Sequence, residues 1–458
     1  MSGELEDLRR KIKSAYEFET DHPYPALMAA ISAGLNRDPK PSSRMGWMAG
    51  ATAAAMTVFV VVGLVGFHGI RNVGSPLPAA PSPAPGTEAG VAAILANNHL
   101  VYIPPGAATP KWDVAVAPAP DLNPSHGYAA LGHRVAASAY GSVIYALPAK
   151  DFFGGDKLVV ADSATGRVIR EVQLPNPGNS ARYGALAVGP SGDVWVVGSI
   201  GPVPSAKDLP VKHIEIVRVN HLDWSTSSWL GRSMSQWVAQ DPVGGDFDIY
   251  EVQLTSDEGR IYYSYTGGLL QLAGLDWVDI SGNRATTCTP RDPNQACAPG
   301  LAGFLVHGSS IYITTANDPP SGAIDYYDLD GTLRGHIQLG LLPGFLEDFV
   351  LAPDGHTLYL SGSCGYSGGM AKLDITTNRP TVVVKAGSLY THPANPPCGQ
   401  SSAFVAANLI AVGHVAALLP SDAEGTILYV DAASGSIRRS VVVSAEPIAI
   451  ASVGVASS

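Results

Sequence analysis

Residues 353–384, PDGHTLYLSGSCGYSGGMAKLDITTNRPTVVV, contain the unit on which the reading of this chain rests. A Pro353-Asp354-Gly355 turn leads into the alternating run Thr357-Leu358-Tyr359-Leu360. A second run ends at Leu373-Asp374, a Thr-Thr-Asn turn follows, and another apolar run continues to Val384. Alternation bounded by Asp, Gly and Pro reads as strands joined by tight turns, because Asp side chains bond the turn backbone and Gly tolerates positive φ. The first run has copies at His99 (HLVYIP), Ser142 (SVIYAL), Asp193 (DVWVVG), Arg260 (RIYYSY), Ser310 (SIYITT) and Asn408 (NLIAVG), spaced 43 to 67 residues apart. The strand ending in Asp recurs at Asp162 (DSATG), Asp279 (DISGN), Asp328 (DLDG) and Asp431 (DAASG), with a degenerate copy at Asn220. A repeat of about 40–50 residues made only of strands signals a β-propeller, with one four-stranded blade per repeat.

Six blades can be traced from about 132 to 445. The C-terminal run IAIASVGV (448–455) then has no downstream partners, while residues 91–117 hold too few strands for a blade. Pairing the two would close the ring and remove both free sheet edges. The expectation is an all-β, seven-bladed β-propeller, with six and eight blades as the alternatives.

The repeat resembles YVTN-type and quinoprotein-like propeller repeats, most clearly at Leu358-Tyr359-Leu360 with Leu373-Asp374, and at Leu158-Val159-Val160 with Asp162-Ser163-Ala164-Thr165-Gly166. The resemblance covers most of residues 95–455. It implies fold rather than activity, because such propellers include binding proteins, lactonase-like enzymes and surface proteins.

The 26 residues between Arg44 and Arg71 contain no Asp, Glu, Lys or Arg, and their apolar core runs from about Gly46 to Phe67. That length suffices for a transmembrane helix. Arg37, Lys40 and Arg44 precede it and Arg71 stands alone until Lys111, which places the N-terminus in the cytoplasm and the rest outside. A cleaved signal peptide would need a 44-residue leading region, and no tidy cleavage site abuts the apolar run. The expected organisation is a helical cytoplasmic tail (1–44), a transmembrane helix (45–70), a Pro-rich stalk (71–90) and an extracytoplasmic propeller (91–458). Short helix, single span and large outer domain together resemble the layout of bacterial membrane-bound anti-sigma regulators, although the Cys/His zinc signature of one such group is absent. That resemblance implies a sensor whose tail docks a cytoplasmic regulator. Net charge is −11 and falls wholly beyond residue 71, so a nucleic-acid partner is excluded on electrostatic grounds. Oligomeric state is not legible.

In a propeller, the turns within each A–B and C–D strand pair share one face, and the B–C and D–A loops share the other. Here the first set is tight and the second long: 118–132, 199–211, 231–246, 284–301, 362–369 and 386–401. Long loops on a rigid scaffold concentrate binding residues. Trp237, Tyr366 and Tyr390 on this face are candidate aromatic contacts to a glycan or protein. At the channel mouth, Arg134, Arg182 with Tyr183, Asp246 with Asp248, Glu347 with Asp348, and Glu446 are expected to converge on a polar ligand. Neither a cofactor nor a metal is expected. The histidines, His126 and His133 among them, lack ligand spacing and read as loop or surface residues. Gly365–Gly369 matches G-x-S-x-G, but Ser367 lies between strands rather than in a strand-to-helix turn, so no catalytic residue is assigned. The expected activity is binding of a protein, glycan or small ligand. A propeller enzyme of hydrolase, lactonase or quinoprotein type is the alternative.

Four cysteines, Cys288, Cys297, Cys364 and Cys398, all lie beyond the span and within the long-loop set. An even count confined to an exported part predicts two disulfides. Of the three pairings, Cys288–Cys297 and Cys364–Cys398 join neighbouring loops. Thiol labelling before and after reduction is expected to reveal four protected cysteines, and labelling without reduction would remove the disulfides. Protease added to intact cells is expected to shave the propeller and spare the tail.

Overall fold

The computed structural model describes residues 88–120, 133–150, 154–176, 181–200, 213–233, 247–267, 272–280, 284–286, 303–315, 323–329, 331–339, 345–363, 369–384, 400–406, 408–414 and 424–454. The expected tail, span and stalk up to residue 87 lie outside these. So do Asp246, Trp237, Tyr366, Tyr390 and all four cysteines, and the side chains of Asp248 and Glu347. Among the described residues no helix is long and apolar enough to cross a membrane.

Seven four-stranded antiparallel sheets are present among the described residues. The chain begins with β1 (Gly90–Leu95), β2 (His99–Ile103) and β3 (Trp112–Ala115). Blade one follows as β4 (Val135–Ala137), β5 (Val143–Ala146), β6 (Lys157–Asp162) and β7 (Val168–Gln173), and blade two as β8 (Ala181–Val188), β9 (Val194–Ile200), β10 (His213–Val219) and β11 (Thr226–Ser233). Blade three is β12 (Phe247–Leu254), β13 (Arg260–Gly267), β14 (Leu272–Asp279) and β15 (Arg284–Thr286), and blade four β16 (Phe304–His307), β17 (Ser310–Thr315), β18 (Ala323–Asp328) and β19 (Leu333–Gln338). Blade five is β20 (Phe345–Leu351), β21 (Thr357–Ser363), β22 (Met370–Asp374) and β23 (Arg379–Val384). Blade six is β24 (Gln400–Ala406), β25 (Leu409–His414), β26 (Gly425–Asp431) and β27 (Ile437–Val443), and β28 (Pro447–Val453) completes the chain.

Blade seven has the order β28-β1-β2-β3, so the last strand closes the ring against the first three, as the unpaired ends of the sequence required. Ala92 pairs with Ala451, Ala93 with Ile450 and Ile94 with Ala449. This arrangement shifts the strand count by one. Six copies of the run, five of them with Tyr or Trp, are second strands of their blades, whereas His99–Ile103 is a third strand; the second strand here is Gly90–Leu95, which, like the copy at Asn408, has no aromatic residue.

Burial follows position in the blade. The second strand β9 (VWVVGSI) is buried at every residue, whereas the outer strand β7 (VIREVQ) is exposed at five of six. A strand covered on both faces reads as a continuous apolar run, and one covered on a single face alternates. The buried apolar residues fall into seven clusters, each spanning two neighbouring blades. Tyr262 and Trp277 of blade three, for example, pack with Phe304, Ile311 and Ile313 of blade four.

The recurring aromatic residue has a specific part in these seams. Tyr359 donates to Ala432 O (3.0 Å) and Tyr262 to Leu329 O (3.3 Å), in each case the carbonyl just after the turn Asp of the next blade. Trp195 Nε1 donates to Glu258 of the next blade at 3.4 Å, and Trp112 Nε1, from an outer strand, donates to Ser163 O at 3.0 Å. A buried ring with a satisfied polar tip both fills the seam and sets its register. Asn98, fully buried at φ 61°, joins blades seven and one by exchanging bonds with Ala149: Nδ2 to its carbonyl (2.6 Å), and its amide to Oδ1 (2.8 Å).

Deleting β28 would remove the burial of Ile448, Ile450 and Val453 and bare the edge of β1, a loss of about 5 kcal/mol or more at the burial value of one side chain each. That approaches the whole stability of a domain. The truncated chain is expected to aggregate, whereas Ile450→Ala should lower unfolding free energy by about 2–4 kcal/mol in reversible denaturation. An unchanged denaturation midpoint would mean that the ring does not depend on this strand.

Candidate functional site

The inner strands surround the channel, and one register layer on them carries charge. Counting three residues back from the last ladder pair at each A–B turn gives Arg134 on the segment entering β4, Ala185 on β8, Glu251 on β12 and Asp348 on β20. Leu147 N donates to Arg134 O at 2.8 Å and extends the β4–β5 ladder to this level. In β8, β12 and β20 the register shifts immediately before the layer residue, leaving Gly184, Tyr250 and Glu347 as the extra residues. Such bulges bend the strand and re-aim the side chain that follows. In the second strands, buried Ser264 and Ser361 stand opposite Glu251 and Asp348, whereas Val197 stands opposite Ala185.

Three of these side chains are almost wholly buried: Arg134 at 2%, Glu251 at 3% and Asp348 at 1% exposure. His133, next to Arg134, is 33% exposed at its side chain, and its Nε2 lies 3.3 Å from Asp348 Oδ1. The contact joins blade one to blade five across the channel, so it bridges strands that are not neighbours. Glu251 is oriented from blade four, where Phe304 N donates to its Oε2 at 2.9 Å, and Gln253 bonds its other oxygen. Gln253 also donates to Phe304 O (2.6 Å) and accepts from Val306 N (2.7 Å), fastening β12 to β16.

These placements move both titrations towards and beyond neutrality. Burial alone would lower the His133 pKa, but the charge of Glu251 and the hydrogen bond and charge of Asp348 outweigh it and raise the value to about 9. Burial raises Glu251 to about 7, opposed in part by the charge of His133 and by the bonds from Phe304 and Gln253. At neutral pH these shifts keep His133 as an imidazolium and bring Glu251 close to its titration. Among the described residues no three His, Cys, Asp or Glu side chains converge tightly enough to hold a metal ion.

Of the residues expected at the channel mouth, Arg134 and Asp348 belong to this layer. Glu446, immediately before β28, is also buried. Arg182 is half-buried and turns its Nη1 back onto Ala181 O (2.9 Å). Tyr183 is not at the mouth: it is fully buried in the seam of blades one and two, its hydroxyl bonded to Pro175 O (2.8 Å) and to Glu215. Strand alternation accounts for this, since Arg182 and Tyr183 must face opposite sides of β8. Burial raises the Tyr183 pKa, as does Glu215. Asp248 occupies β12 opposite Thr266, three positions before the layer, and Glu347 is itself the bulged residue of β20.

His133 and Glu251 are the two members that sequence reasoning missed, His133 because it was read as a loop or surface residue. The available signal was the serine interrupting each apolar second strand, in IYYSYT and LYLSGS. Elsewhere, an open groove of about 600 Å³ on blade five is lined by His356, Lys372, Asp374, Thr376, Arg379 and Thr381. Its carboxylate is committed to the turn: bonds from Thr376 and Thr377 hold Asp374 down at about 2.

No family model matches the chain, and no curated protein matches it. Among solved structures, a putative 6-phosphogluconolactonase from Bacteroides fragilis is similar with TM-score 0.50 and 15% identity, over 82% of this chain and 100% of that one. Kuenenia stuttgartiensis hydrazine synthase (TM-score 0.47, 11% identity, 80% of this chain, 99% of that) and apo AztD from Citrobacter koseri (0.44, 14%, 81% and 99%) are also similar. At these identities the likeness is one of fold: this chain is a β-propeller.

Both raised pKa values make the folded chain bind more protons than the unfolded one. The His133 contribution is complete below its unfolded value of 6.5 and is lost as pH rises through about 9. Glu251 holds its proton to about 7 when folded but only to 4.5 when unfolded, so its ionisation costs stability as pH rises from 4.5 through 7. Melting temperature is therefore expected to fall from about pH 5 to pH 9, and Glu251→Gln to flatten the lower half of that fall. An identical pH profile in the variant would remove Glu251 from the cluster.

Proposed function

We propose that this chain is a binding protein, tethered outside the cytoplasmic membrane through residues 45–70, which takes a small polar ligand in the propeller channel from the long-loop side. The observation that carries this reading is the contact of His133 with Asp348 between non-adjacent blades, with Glu251 of a third blade close enough to act on the histidine's charge. Burying ionisable groups costs several kcal/mol each unless they are paired; here Asp348 meets His133, and Glu251 is held by Phe304 and Gln253, which leaves the part-open histidine as the charge that faces the channel. Of the expected ligand classes, protein, glycan and small molecule, a cluster inside the channel favours the small molecule. The membrane tether is supported by the uncharged 26-residue run and the positive residues before it.

A second reading is an extracytoplasmic propeller enzyme acting at the same cluster. It is favoured by Glu251, whose carboxyl titrates near neutrality beside a protonated histidine, as proton transfer requires.

Native mass spectrometry of the full-length protein purified from its own cells tests the first reading. A small molecule is expected to remain with the wild type and to be absent from the His133→Asn variant. Retention of the same molecule by the variant would move binding away from the channel. If neither form carries an occupant and crosslinks from loops 231–246 and 386–401 reach one recurrent protein, the partner is a protein instead.

A further inference from the structure

Taking the channel as the ligand site, as argued above, we infer that its occupant presents a small oxyanion, a carboxylate or a phosphate, to the part-open ring of His133, whose Nε2 faces Asp348. The argument turns on which charges an incoming molecule can touch. Arg134, Glu251 and Asp348 are buried, whereas a third of the His133 side chain is open. The two carboxylates therefore meet the ligand chiefly through what they do to the ring. Asp348 faces Nε2, and no hydrogen bond among the described residues occupies Nδ1. A protonated imidazole donates from both nitrogens and accepts at neither. What it recognises must be an acceptor, and a charge-assisted bond to an anion is the strongest form.

The surroundings limit charge. The layer position on β8 is Ala185, and on β28 the residue after the bulge is Ala449, both uncharged and buried in seams, so the inner strands flanking β4 put no further charge at this level. The chain carries a net charge of −11, a field that disfavours an extended polyanion but not a small one beside a local cation.

The same geometry sets the sign of proton linkage. Charged or titratable groups on the strands around His133 are Glu251 on β12, Asp348 on β20, Arg134 beside it, Glu446 before β28 and Arg182 on β8. An anion at Nδ1 favours the protonated forms of both His133 and Glu251. Binding near neutral pH therefore takes up protons, chiefly at Glu251, and weakens as pH rises past the titration of His133. A cationic ligand would release protons.

Isothermal titration of the full-length protein with succinate, with inorganic phosphate and with putrescine, in two buffers of different ionisation enthalpy, tests this. An oxyanion is expected to bind with proton uptake near pH 6.5. Its affinity should fall about tenfold or more near pH 10, and by a similar factor in His133→Asn, as loss of a charge-assisted bond implies. Glu251→Gln keeps the imidazole and should retain oxyanion binding at pH 6 and below, while its affinity falls off at lower pH than in the wild type because the charge of Glu251 no longer raises His133, so a misfolded histidine variant does not decide the outcome. Preference for succinate or for phosphate identifies the group. Binding of putrescine with proton release would overturn the oxyanion assignment and leave the channel as a ligand site. Binding of no probe would overturn the assignment as well, and the co-purifying molecule, if it resides at His133, would keep the channel reading while an empty channel would end both.

Discussion

A blade has two apolar faces and nothing but its neighbours to cover them, and the whole molecule depends on those seven seams being filled. Each cluster of buried side chains draws on two adjacent blades, so no single blade owns a core. Burial of a large apolar side chain stabilises by roughly 1.5–3 kcal/mol. Exposed ion pairs such as Lys157–Glu171 and Arg334–Asp328 contribute about 0–1 kcal/mol each. The seams therefore decide the fold, and the surface pairs adjust it. Closure by β28 belongs to the same constraint: it adds Ile450 to the seam with blade six, and Ile448, Ala449 and Val453 to the seam with blade one.

Because the apolar interior lies between the blades, the centre of the ring is free to be polar. An inner strand needs only its flanks to be apolar, and the bulges at Gly184, Tyr250 and Glu347 turn the next residue to a new aim without breaking the ladder. Serines opposite Glu251 and Asp348 keep the second strand polar at that level. The rigidity supplied by the seams then holds groups from blades one, three and five in place. A His–Asp contact across a channel persists only if both walls are fixed.

Electrostatic coupling in that layer reverses what each group would do alone. Burial by itself would leave His133 neutral, and Glu251 and Asp348 outweigh it; Glu251 in turn is kept from a higher pKa by the imidazolium and two donated bonds. Tyr183 and Glu215 form a buried pair in a seam, where no ligand reaches them. Position relative to the channel, more than residue type, separates the functional candidate from the structural pair.

How much was legible in the sequence follows from the range of the interactions. Strands and turns are local, so the alternation of Leu358-Tyr359-Leu360 and the Asp-led turns at Asp162, Asp374 and Asp431 marked the repeat. The orphaned run near 448–455 marked the closure for the same reason, since a strand without a local partner must find a distant one. Arg134 and Asp348 were identifiable because they begin or lie in inner strands. Glu251 was displaced by three positions from the expected Asp248, and Tyr183 was turned into a seam, because register and bulges are set by pairing between strands. His133 carried no pattern at all: it matters only because the ring brings it to Asp348, 215 positions away in the chain and 3.3 Å away in space. The sequence by itself determined the kind of blade and pointed to seven, with six and eight still open, since repeats and turns are written in neighbouring residues. Only the tertiary structure decided which charges share the channel, because closing a ring unites residues that no local rule connects.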